Sequence, residues 1–423
     1  MARSLHFAVL SLVVCCGRAA SAQDKADQPT APPPSGSVWT IGFDGVLFGT
    51  FNHQGGLRGD TEFVSQNWAM VTAMRPVGGG ILTAGSMVSA EPATVRGAGY
   101  SQILQLGEAY RGLQITDRQH PHDLWMQLSA TWRVPIGRGV GLTIAGGPRG
   151  EAPLGPVAFM HRPSSAENPT APLSHHILDS THIATGVLMA GVDKGPMSIE
   201  GAWFRAREPD ERRYNLEMGR LDSWSARVWF RPTPEWAMQV SHGFLNEPER
   251  LEPGDQRRTN GSLSWFRQRE SGFTAFTLAA GRNARTFSTV RVFLGEVTQQ
   301  IRRTSIYGRF EDLTVETEVL LFPEIVHRPH PGELVDPVRT VMAGIVRDIV
   351  AARGFSVGVG GDVSFYTLPE VLQFTHGSRP VSYRIFFRIR PPAVGGRMWN
   401  MTMGQPMPHG GMTDHGAMEH QHP

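Results

Sequence analysis

Residues 117–134 read D-R-Q-H-P-H-D-L-W-M-Q-L-S-A-T-W-R-V, and two patterns lie side by side in them. From Leu124 onward, Leu124, Met126, Leu128, Ala130, Trp132 and Val134 share one parity, while Gln127, Ser129, Thr131 and Arg133 share the other. Period-two alternation sends successive side chains to opposite faces of a strand, so this strand has one apolar and one polar face. Ahead of Leu124, a pair of histidines, a pair of aspartates and an arginine crowd around Pro121, which is loop composition with chemistry in it. The rest of the chain repeats the unit of polar loop followed by alternating strand.

Sixteen alternating segments run from Val38–Phe51 to Val381–Arg390. Among the clearest, Phe355, Val357, Val359, Val363 and Phe365 oppose Ser356, Gly358, Asp362 and Ser364. Connections after the even-numbered segments are short, as at Val77-Gly78-Gly79 and Asp193-Lys194-Gly195, whereas those between are mostly long. An even count with this rhythm predicts an all-β protein, a transmembrane up-and-down antiparallel β-barrel of about 16 strands. Short turns would face the periplasm, long loops the outside, and both termini the periplasm. Glu200, Arg227, Arg309, Asp362, Arg384 and Arg388 lie on the polar parity and would face the lumen. On the lipid face such charges would cost roughly 2–4 kcal/mol each near the midplane. A soluble β-sandwich or propeller also alternates but explains the rhythm less well.

The ends carry different signals. Arg3, an apolar run from Phe7 to Cys16 and Ala20-Ser21-Ala22 predict a secretory signal peptide over 1–22, followed by a Pro-rich leader over 23–36. Attachment of lipid at Cys15 or Cys16 is the alternative, disfavoured by Val14 where a small residue is usual. Cleavage removes both cysteines, so the exported chain relies on backbone pairing rather than disulfides. It also removes Arg3 and Arg18, leaving 38 basic against 38 acidic side chains, a balance with no footprint for nucleic acid. The barrel would occupy 37–390 with outer-membrane lipid as its surroundings, and 391–423 would be a disordered tail rich in Met and His.

That tail holds Met398, Met401, Met403, Met407, His409, Met412, His415, Met418, His420 and His422. Thioethers select Cu(I) and imidazoles suit Cu(II), so the mixture predicts a copper-binding segment. A second group, His120 and His122 with Asp117, Asp123, His175, His176 or Asp179, maps to the outer loops and offers donors for a first-row metal. Loop ordering by hydrogen bonds is the competing reading of those histidines and of Asp117 and Asp123. Adjacent Ser-His pairs such as Ser174-His175 do not make a nucleophile, and no G-x-S-x-G occurs, so no enzymatic activity is expected.

The motifs D-R-Q-H-P-H-D at 117–123, G-P-V-A-F-M-H-R at 155–162, S-H-H-I-L-D-S-T-H at 174–182, R-E-P-D-E at 207–211 and L-D-S-W-S-A-R at 221–227 resemble an uncharacterised family of bacterial proteins predicted to lie in the outer membrane. The resemblance implies a barrel and carries over no functional residue. The tail is similar in composition to Met/His-rich segments of copper-resistance proteins, which implies copper tolerance, with metal ions or a periplasmic metal-handling protein as partners. A porin-like channel for small solutes, or a surface protein acting through its loops, are the alternatives.

Overall fold

A computed structural model describes residues 38–322 and 333–405. The signal and leader segments, His327, His330 and residues 406–423 lie outside the described residues. In chain order the elements are β1 (Thr40–His53), β2 (Thr61–Val64), β3 (Asn67–Val77), β4 (Gly80–Val88), α1 (Glu91–Thr94), β5 (Tyr100–Tyr110), β6 (Leu113–Gln119), β7 (Trp125–Gly137) and β8 (Val140–Gly150). Helix α2 (His175–Leu178) precedes β9 (Ala184–Lys194), β10 (Met197–Arg205), β11 (Ser223–Thr233), β12 (Trp236–Leu245), β13 (Gln256–Arg269) and β14 (Gly272–Ala284). Then follow β15 (Thr289–Ile301), β16 (Thr304–Glu316), α3 (Thr317–Leu321), β17 (Val335–Ala352), β18 (Phe355–Thr367), α4 (Glu370–His376) and β19 (Val381–Arg390).

All strands but β5 and β6 belong to one antiparallel sheet, in which each stave pairs with the next. Strands β2 and β3 are two halves of one stave, both paired with β1 and separated by Ser65 and Gln66. The wall therefore has sixteen staves. It closes where β1 pairs with β19, Leu47 opposite Ile389 and His53 opposite Tyr383. Closure leaves no sheet edge, which is the condition for strands to cross a lipid bilayer.

The alternation in the sequence becomes the two faces of this wall. Trp203 and Ile385 point outward at 61% and 57% exposure, while Glu200 and Arg384 point inward at 3% and 4%. Opposite charges face each other across neighbouring staves, as Glu200 with Arg227, Glu296 with Arg309 and Asp362 with Arg384. Each pair closes a hydrogen bond, at 2.9, 3.0 and 2.6 Å respectively. An apolar band against lipid and a charge-paired lumen make this a transmembrane barrel of the outer-membrane type.

Each of the seven short turns has two residues, from Gly78-Gly79 to Arg353-Gly354. Gly78 and Gly79 both have positive φ, 55° and 77°, the turn whose twist matches that of the flanking strands. The long connections all emerge at the other end, and two of them fold inward. Residues 89–124, expected as a plain loop, contain the hairpin β5–β6, which forms its own two-stranded sheet. The alternation of β5 is unreadable because both its faces are buried, and because Leu104, Gly107 and Glu108 take positive φ and break the register.

The expectation of a disordered tail from residue 391 onward does not hold for 391–405. Phe43 pairs with Val394, Asp44 accepts hydrogen bonds from Arg397 and from the Met398 amide, and Thr131 donates to the Met403 carbonyl. Trp399 packs on Phe273 with ring centroids 4.7 Å apart. These contacts carry the segment from the short-turn rim into the lumen.

Candidate functional site

The lumen is filled from the long-loop end by residues 89–124 and 151–183. A buried segment must satisfy its polar groups, and here the wall supplies the partners. Arg162 donates from Nε to Glu296 on β15 at 2.9 Å and from Nη1 to Asp179 at 2.5 Å. Glu311 on β16 accepts from the Ser174 amide at 2.9 Å and from its hydroxyl at 2.6 Å. Arg227 on β11 donates to the Gly155 carbonyl at 3.1 Å, and Arg388 on β19 pairs with Glu167. The segment 151–183 is thus tied to four staves around the wall.

These ties bring histidines together. In the turn after β6, His122 donates both its amide and Nδ1 toward Glu91 Oε2, at 2.8 and 2.9 Å. His175 opens α2, and its Nδ1 lies 2.6 Å from Asp179 Oδ1. One turn later His182 Nδ1 lies 2.7 Å from the Asp179 carbonyl. One donor atom from each of His122, His175 and His182 lies within 4.8 Å of the others. Because Nδ1 of each ring already faces an oxygen, Nε2 is the nitrogen each ring has left to offer. The Nε2 atoms of His122 and His182 are buried and have no hydrogen-bond partner among the described residues. Phe159 packs against all three rings, with centroids 5.2–6.4 Å away.

Two cavities lie along the lumen. The outer one, about 70 Å³, is bordered by the histidines together with Glu108, Glu208 and Glu249. The inner one, about 50 Å³, lies between Asp44, Trp68, Met126, Met160 and Met398. Of these two cavities' linings, His122 belongs to both.

Charge in this region is set by burial and close partners. Burial, then the neighbouring His175, holds His182 well below the ordinary imidazole value, and burial with Arg213 and His122 does the same to His120. Burial opposes the charged form of His122 too, but Glu91 outweighs it and raises its pKa. Burial likewise opposes the Asp179 carboxylate, yet Arg162 and His175 prevail and hold it below the usual range. In the outer cavity burial and Glu249 push Glu208 well above the usual carboxylate value.

The residues singled out in the sequence separate into three groups. His122 and His175 meet at the histidine cluster, while His120 and His176 stand beside it, their rings 5.2 Å apart, with His120 Nδ1 3.1 Å from Glu108. Met398 and Met401 are buried among Met70, Met87, Met126, Phe159 and Met160, and Met403 packs near Met189 and Phe204. The structure gives these three methionines a packing role. Met407, His409, Met412, His415, Met418, His420 and His422 lie outside the described residues. Asp117 acts as a loop organiser, accepting from the Leu104 amide at 2.7 Å and lying 2.8 Å from His376 Nε2. Asp179 is among the donors the sequence offers to His122, but the sequence does not reveal His182 and Glu91 as part of one unit with them, because the partners come from separate loops that only the folded barrel brings together. The spacing of His175, Asp179 and His182 within one motif is the signal that was available.

No family model matches the chain, and no curated protein matches it. Among solved structures the chain is similar to a loop-deletion mutant of OmpT, an outer membrane protein of Vibrio cholerae, at 9% identity and TM-score 0.48, covering 83% of this chain and 99% of that one. It is similar to an anion-selective porin from Comamonas acidovorans at 10% identity and TM-score 0.48, covering 84% and 100%. For OprB of Pseudomonas putida the values are 8%, 0.49, 84% and 94%.

Proposed function

We propose that the chain is a porin-like conduit of the outer membrane for small hydrophilic solutes, held closed by its own lumenal segments. The observation that carries the reading is that the outer and inner cavities share His122 in their linings, and in this reading His122 is the partition between them. Paired Arg and Glu on the inner wall give a solute polar surface along part of the path, as at Glu200 with Arg227 and Glu296 with Arg309. The long loops face outward and the short turns face the periplasm in this reading, so the outer cavity is the entrance.

Single-channel recording in planar bilayers with EDTA present tests it. The parent protein is expected to conduct weakly for a sixteen-stave barrel, and His122→Ala, which removes the partition, to conduct several-fold more. Two folded proteins that pass no current would overturn the reading.

A second reading is copper capture by the donors of 407–422. It rests on the mixture of thioether and imidazole donors in that stretch of sequence.

A further inference from the structure

We propose that His122, His175 and His182 form a binding site for one divalent first-row cation of the zinc type. Nitrogen donors from three rings converge within 4.8 Å. Around a tetrahedral zinc with bonds of about 2.05 Å, adjacent ligand nitrogens stand roughly 3.3 Å apart, so small ring tilts complete the approach. The rings are not stacked face to face. His122 and His182 meet at 68° and His175 and His182 at 54°, as rings directed at a common point do.

The second argument concerns the other side of each ring. Ligating histidines almost always use the second ring nitrogen to bond a carboxylate or a backbone carbonyl, which sets the tautomer and aims the free nitrogen. Each member of the cluster has such a partner: Glu91 for His122, the Asp179 carboxylate for His175 and the Asp179 carbonyl for His182. A single residue therefore aims two rings. Asp179 is itself held by Arg162, which Glu296 anchors to the wall. The Nε2 atoms of His122 and His182 are buried with no hydrogen-bond partner among the described residues, which packing of the rings does not account for, because an unmet buried polar group is costly.

The chemistry follows from the donor set. Three neutral imidazoles suit Zn(II), Cu(II), Ni(II) and Co(II) and do not suit Mg(II) or Ca(II), which require oxygen. The outer cavity borders the cluster and leaves a fourth position for water or a solute. A bound cation would join the turn carrying His122 to the segment 151–183. The site stands whether or not the barrel conducts, because binding is read in detergent without a membrane.

The test is zinc titration against a competing chelator, using the full-length barrel stripped with EDTA and carrying His409, His415, His420 and His422→Asn in every sample. One zinc per chain is expected, weakened at least 100-fold by His175→Gln or His182→Gln. Asp179→Asn is expected to weaken it about 10–100-fold as a positioning residue. Heat-modifiable mobility on gels checks that each variant is a folded barrel. Absence of micromolar binding in the folded parent would overturn the site, as would equal affinity in the ligand variants. Equal losses from His120→Gln and His176→Gln would overturn the assignment of these three ligands.

Discussion

Glu91 Oε2 accepts two hydrogen bonds from His122, one from the backbone amide at 2.8 Å and one from Nδ1 at 2.9 Å. One carboxylate oxygen thus sets both the position of the residue and the direction of its ring. Replacing Glu91 by Gln keeps the shape but removes the charge. The expected result is a loss of zinc affinity of about 10–100-fold with the barrel intact, measured by chelator competition.

The link from Arg162 to Glu296 ties the lumenal segment 151–183 to the wall, and both side chains are buried. Removing Glu296 takes a buried carboxylate from two guanidinium groups, Arg162 and Arg309, and leaves Arg162 with Asp179 as its remaining carboxylate. Glu296→Ala is therefore expected to destabilise the protein by about 3–5 kcal/mol, read as a lower urea midpoint for unfolding in detergent. Replacing Arg162 and Glu296 together by Met and Leu is expected to recover little of that loss, because Asp179 and Arg309 then lose their own partners.

Met398 and Met401 pack in an apolar cluster, so shape matters more than sulfur for stability. Leu at both positions is expected to cost less than about 1.5 kcal/mol each, against about 2–5 kcal/mol each for Ala. Thermal unfolding of the two double variants distinguishes these outcomes.

Burial and Glu249 both disfavour the charged form of Glu208 and hold its pKa well above the usual carboxylate value. Burial also opposes the charge of Glu249, but Arg285 at 3.1 Å holds its pKa down. The folded-state pKa of Glu208 thus lies above the unfolded value near 4.3. The stabilisation from the bound proton is fully present below that value and is lost as pH rises through the folded pKa. The urea midpoint is expected to fall with rising pH over that range, and Glu208→Gln, which is neutral throughout, to flatten the dependence.

The peptide 406–423 offers Met407, Met412 and Met418 with four histidines. It is expected to bind Cu(I) more tightly than a scrambled peptide with Met replaced by Leu. Equal binding by the two peptides would remove copper capture as a reading of this segment.

The barrel was legible in the sequence because its cause is local and periodic. A strand between lipid and lumen alternates with period two, and the residues of Trp125–Gly137 state both faces without reference to any partner. The sequence alone likewise determined stave number, the short and long rhythm, and which charges face inward. It also put Asp117–Asp123 in a connection rather than a stave. What fills the lumen was decided by tertiary structure. Residues 100–109, 151–183 and 398–404 are largely buried inside the wall, so no amphipathic period marks them, and their partners lie on distant staves. His122 and His175 are 53 positions apart in the chain and meet because Glu91, Asp179 and Arg162 hold two separate loops against the same wall. Such contacts depend on closure of the barrel, and closure is a property of all its strands together.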